Sequence, residues 1–103
     1  MSALKKRARA LEDEFAHQQE FQFKAQARRN ALIGLWAANT MRRPDGEQYS
    51  RELAVADVTA PDGAFNRIRA DLRSAGVNCP DEELRDRMVV MLKDVAREMR
   101  GGY

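Results

Sequence analysis

"ARRNALIGLWAA", Ala27 to Ala38, sets two arginines and an asparagine directly before eight residues without a charge, in a chain that is otherwise 33% charged. A membrane span is one reading of so apolar a stretch, but it is far shorter than the roughly 20 residues a spanning helix needs. The alternative is a helix that other helices cover. A central helix in a small domain must be apolar over most of its circumference, because each neighbour buries one stripe against it. Ala31, Leu32, Ile33, Leu35, Trp36, Ala37 and Ala38 supply that surface, which predicts a buried spine with Trp36 and Leu32 as its largest buried groups. Gly34 then lets another helix approach closely.

Prolines and glycines cut the chain around this spine into four helical parts, since proline cannot continue a helix interior and glycine ends one cheaply. The first, from about Ser2 to Met41, has no proline and only Gly34 as glycine. Arg42 to Gly46 form a turn, with arginines at the helix end that favours cations. A second helix is expected over Glu47–Asp57, with Tyr49, Leu53 and Ala56 on one face. After Thr59 to Gly63, with Thr59 as the expected cap and Pro61 in the first turn, a third helix carries Phe65, Ile68, Leu72 and Ala75. Gly76 ends it. Asp81, Glu82 and Glu83 open a fourth helix at the end that attracts anions, and Gly101 and Gly102 close it. Its inner face is Leu84, Met88, Met91, Leu92, Val95 and Met99. No strand-like alternation or internal repeat competes, so the fold class is all-α, a small four-helix bundle. Its expected core is Leu32, Leu35, Trp36, Leu53, Phe65, Ile68, Leu72, Leu84, Met88, Met91, Leu92 and Val95.

Helices of about 11, 13 and 19 residues, at 1.5 Å per residue, cover only about half of a first helix of about 40 residues. The spine must lie in the covered half, so the amino-terminal part projects or is disordered. That part still carries an apolar stripe: Leu4, Ala8, Leu11 and Phe15 recur at spacings of four, three and four. Lys5, Lys6, Arg7 and Arg9 precede Glu12, Asp13 and Glu14, which puts cations at the end where the helix dipole favours anions. Such a segment is marginal alone and folds against a partner's groove. The domain reading is therefore residues 1–17 as a mobile amphipathic arm and 18–103 as the bundle, with His17 at the hinge.

Composition excludes several classes. Eighteen basic against sixteen acidic side chains leave a net charge of +2, too balanced for bulk attraction to nucleic acid. The basic residues at 5–9, 28, 29, 42 and 43 are the basis of the alternative reading as a nucleic-acid-binding helical domain, opposed by the acidic run at 12–14 and by the lack of aromatic residues beside the first cluster. Arg28 and Arg29 read as the solvated edge of the buried segment. Cys79 is the single cysteine and His17 the single histidine. No intramolecular disulfide is possible, and no metal set or nucleophilic dyad can be assembled around one imidazole, so neither catalytic residue nor cofactor is expected. Glu12 to Glu14 fall where a signal peptide would be apolar, which with the cysteine usage argues for a cytoplasmic location. Neither membrane insertion nor nucleic-acid binding is expected, and the free protein is expected to be a monomer.

"FAHQQEFQFKAQARRNALIGLWAA", Phe15 to Ala38, closely resembles the signature stretch of the zeta subunit of alphaproteobacterial F-type ATP synthases, a small ATPase-inhibitor family. The likeness continues through Ala54 to Asp57, "RIRADL" at Arg67 to Leu72 and "AGV" at Ala75 to Val77, departing at Gln18, Gln19 and Ala31 and in the more basic amino terminus of Lys5 and Lys6. The resemblance implies a four-helix bundle and a non-enzymatic inhibitor of ATP hydrolysis, bound to the catalytic head of the synthase on the cytoplasmic face of the inner membrane. Its amino-terminal helix would insert between an alpha and a beta subunit near the central rotor, the gamma subunit, and block hydrolytic rotation. Leu4, Ala8, Leu11 and Phe15 would be buried there, with Lys5, Arg7, Glu12 and Glu14 at the rim fixing register.

Overall fold

The computed structural model describes residues 2–101 and is all-helical. Helix α1 spans Ala3–Thr40, α2 Gly46–Ala54, α3 Ala56–Thr59, α4 Gly63–Ser74 and α5 Asp81–Met99. The α1 helix ends in a Schellman motif: the Arg43 N–H donates to Ala38 O and the Arg42 N–H to Asn39 O, with Arg42 at φ 58° where glycine is usual. Pro44 follows, and the chain turns back. Helix α2 then runs antiparallel along α1, because Gly46 lies by Ala38, Ser50 by Ala31 and Gly34, and Asp57 by Asn30. Gly34 is the point of closest approach, as expected: a Cβ there would stand 3.2 Å from Leu53 Cβ and from Ser50 Cα. The Ser50 hydroxyl donates to Ala31 O at 2.7 Å.

The segment expected as one helix from Glu47 to Asp57 breaks at Val55 into α2 and the single turn α3. The cap expected from Thr59 is also corrected. Its hydroxyl donates to Ala56 O, and α4 starts only at Gly63, after Asp62 in the left-handed region. The first turn of α4 is capped from further back, by Asp57 Oδ1 accepting from the Ala64 N–H at 2.9 Å. This brings backbone onto backbone. A Cβ on Gly63 would collide with the Ala56 carbonyl, whose carbon would be 2.8 Å away.

Helix α4 ends in a second Schellman motif at Gly76, with Val77 N–H donating to Leu72 O, and α5 follows behind Pro80. Three acidic residues, Asp81, Glu82 and Glu83, occupy its first turn, where they complement the helix dipole. Gly101 has the positive φ that closes α5, while Gly102 lies outside the described residues. Helix α5 is antiparallel to α1: Arg87 lies over the Trp36 ring, Arg29 reaches Met88 O, Arg28 approaches Glu98, and Arg100 lies over the Phe21 ring.

Ile33, Ala37, Ala38, Tyr49, Leu53, Ala64, Phe65, Ile68, Leu72, Leu84 and Met88 form the central apolar cluster, with Trp36 and Met91 half-buried against it. Val95 is buried towards the far end of α5. Leu32 and Leu35, expected in the core, are 39% and 43% exposed, and Leu92 is half-buried outside the cluster. The spine is thus one-sided, with α2 and α5 covering adjacent faces of α1 and leaving the Leu32–Leu35 side to water. Trp36 and Leu32 are not the largest buried groups of α1; Ile33 and Asn30 are.

Candidate docking surface

The two arginines and the asparagine of the opening stretch differ in fate. Arg28 stays exposed, 3.8 Å from Glu98. Arg29 is half-buried, contrary to the expectation of a solvated edge, and donates from Nε to Asn30 Oδ1 at 2.8 Å and from its Nη to Met88 O at 3.0 Å. Burial pushes the Arg29 guanidinium below its usual value, with Asp57 and Asp62 opposing the change. Asn30 is 1% exposed and donates to Asp57 Oδ2 at 2.9 Å. One chain of hydrogen bonds therefore links α5, α1, α3 and the start of α4, and satisfies a polar side chain that would otherwise be costly to bury. Its role is to hold the bundle together.

A second polar cluster surrounds Tyr49. Its ring is fully buried between the guanidinium groups of Arg43 and Arg67, 4.3 and 4.9 Å from the centroid, and its hydroxyl donates to Asp71 at 2.7 Å. Burial and the Asp71 carboxylate push the phenol well above its ordinary value. Arg43 is fixed further by paired hydrogen bonds to Asp45. Two of the arginines considered for nucleic acid, Arg29 and Arg43, are thus held by hydrogen bonds within the chain. Cys79 sits half-buried in the loop before α5, its thiol pushed up by burial and by Glu83, which disfavours the reactive thiolate.

The amino-terminal half of α1 stands apart from both clusters. Ser2 caps it, its side chain accepting from the Lys5 N–H, and every residue from Ser2 to Glu20 is exposed. The helix runs unbroken through His17, and the molecule extends over 63 × 31 × 25 Å because this part projects beyond the bundle. Leu4, Leu11 and Phe15 are 75%, 66% and 60% exposed on one side of it. Ala8 lies between them. Lys5, Arg7, Glu12 and Glu14 flank the ridge.

The ridge belongs to a longer pattern that the four-and-three spacing of its four residues did not reveal. At seven-residue intervals stand Leu4, Leu11, Gln18, Ala25 and Leu32, and beside them Ala8, Phe15, Gln22, Arg29 and Trp36. This is a heptad seam along α1. Beyond Gln22, which is exposed, Ala25 is buried and α5 holds Arg29 and Trp36. The seam drifts about 20° per heptad on a straight helix, which carries Leu32 past the edge of α5 into water. Ahead of Phe21 it has no covering helix among the described residues.

These features define a class: a small all-α bundle that extends one helix, with an uncovered apolar seam, beyond its own core. The chain belongs to the ATPase inhibitor subunit zeta family, whose family model matches residues 1–98. No curated protein and no solved structure gave a match. No helix among the described residues is long and apolar enough to cross a membrane.

Proposed function

We propose that this protein inhibits ATP hydrolysis by the F-type ATP synthase by inserting the arm, residues 1–17, at an alpha/beta subunit interface near the rotor, while residues 18–103 anchor it outside the head. The observation that carries this reading is the exposed ridge of Leu4, Ala8, Leu11 and Phe15 on a projecting helix, in a chain of an inhibitor family. Full burial of Leu4, Leu11 and Phe15 against a partner supplies about 1.5 to 3 kcal/mol each. Lys5, Arg7, Glu12 and Glu14 set register at the rim, where charges act more on specificity and association rate than on affinity. The blockade is steric and needs no catalytic group or cofactor, so the protein acts as a regulator where the synthase head lies, on the cytoplasmic side. His17 marks the join of arm and anchor.

The test compares ATP hydrolysis by the purified cognate synthase head in the presence of the full-length protein and of a version lacking residues 2–17. Inhibition by the first alone is expected. Equal inhibition by both overturns the role of the arm, and inhibition by neither overturns the function.

A further inference from the structure

We infer that the free protein self-associates through its arms, two copies pairing their Leu4–Phe15 segments as an antiparallel two-helix coiled coil. Such pairing is independent of the inhibitory reading and differs from the monomer expected from the sequence. Two independent features of the arm support it.

The first is seam geometry. In an antiparallel pair centred between Arg9 and Ala10, Leu4 of one copy meets Phe15 of the other, and Ala8 meets Leu11. Four layers form, each joining the two kinds of seam position as an antiparallel coiled coil requires. The pairing also fits the body. Ser2 of the second copy falls opposite His17, short of Phe21, where Arg100 lies over the ring and α5 ends its cover of the seam. A second copy's arm, antiparallel to α1 as α5 is, takes over the seam where α5 leaves it.

The second is charge. Lys5 and Glu12 occupy one flank of the seam, and Arg7 and Glu14 the other. Antiparallel pairing brings each flank against its own counterpart, so Lys5 of each copy meets Glu12 of the other, and Arg7 meets Glu14. All four flanking contacts join opposite charges. A parallel pair would bring only Arg7 of each copy against Glu12 of the other, two opposite-charge contacts instead of four, and would force the two bundles together at one end. The basic-then-acidic order, unfavourable to the arm's own helix dipole, is the order that makes two antiparallel arms complementary. The association is closed and isologous, so it stops at two copies.

The test is sedimentation equilibrium of the full-length protein and of two charge variants, Lys5→Glu with Arg7→Glu, and Glu12→Lys with Glu14→Lys. The unaltered chain is expected to move from its 11.7 kDa monomer towards twice that mass as concentration rises to about 1 mM, a weak dimer suited to so short a seam. Each variant alone sets like charge against like and is expected to stay monomeric. An equimolar mixture restores all four opposite-charge contacts, so the doubled mass is expected to return. A monomer at every concentration, including one with the arm folded onto its own bundle, overturns the proposal. So does a dimer that both variants retain, which would place the interface elsewhere, or a mixture that stays monomeric. Circular dichroism of each variant shows that the bundle is folded, which separates loss of pairing from loss of structure.

Discussion

Asp57 has both carboxylate oxygens engaged, one by the Asn30 amide and one by the Ala64 N–H, at the meeting of α1, α3 and α4. Removing it strands a buried amide and a first-turn N–H of α4, and unpaired buried donors cost about 1 to 3 kcal/mol each. Asp57→Ala is expected to lower unfolding free energy by about 2 kcal/mol in urea denaturation. Asn30→Ala is expected to cost a similar amount, with the double variant costing less than the sum because the two share one interaction. Gly63→Ala belongs to the same junction. The new methyl would strike the Ala56 carbonyl, and a loss of about 2 to 3 kcal/mol is expected from the forced backbone shift. Tyr49→Phe removes only the hydroxyl bond to the partly exposed Asp71, and about 1 kcal/mol is expected from the same measurement.

At the scale of elements, α1 does two jobs along one helix. Its carboxyl-terminal half is stabilised by burial against α2 and α5, so substitutions there act on stability. Its amino-terminal half buries nothing, so on the proposed function substitutions there are expected to act on docking rather than on stability. Leu11→Asp is therefore expected to leave the bundle's thermal unfolding within about 0.5 kcal/mol of the parent, the range of exposed surface changes. The same variant is expected to weaken inhibition of the synthase head by at least about tenfold, because a carboxylate would have to enter an apolar interface. A large loss of stability instead would place Leu11 in the core. Helix boundaries were legible where backbone chemistry is local: the stop at Arg42 to Gly46, the glycine at 76 and the acidic start at 81 all read directly from sequence. The break at Val55 was not, because it depends on Asp57 turning to reach α1 and α4 at once, and no local residue signals that.

For the whole molecule, the projecting arm sets size in solution. The radius of gyration of the Cα atoms is 17.3 Å, against about 13 Å for a compact chain of this length. Small-angle scattering extrapolated to low concentration is expected to retain that excess, and removal of residues 2–17 to bring the value to about 12 Å. A compact full-length value would mean that the arm lies along the bundle. Self-pairing adds a salt dependence: the flanking charges are solvent-exposed, so raising ionic strength is expected to weaken the dimer, read by the same sedimentation experiment.

The chain's own order of residues determined that it would be helical, where most helices stop, that Gly34 would admit a close neighbour, and that one helix was too long for the others to cover. These follow from periodicity, caps and length, which are properties of contiguous sequence. Tertiary structure alone decided which side of the apolar stretch faces inward. Leu32 and Leu35 go to water while Asn30 is buried, because α2 and α5 cover adjacent faces of α1 and the polar group finds its partner 27 residues away in Asp57. Hydrophobicity ranks residues by their preference for burial, but only the placement of neighbouring helices settles which of them are covered.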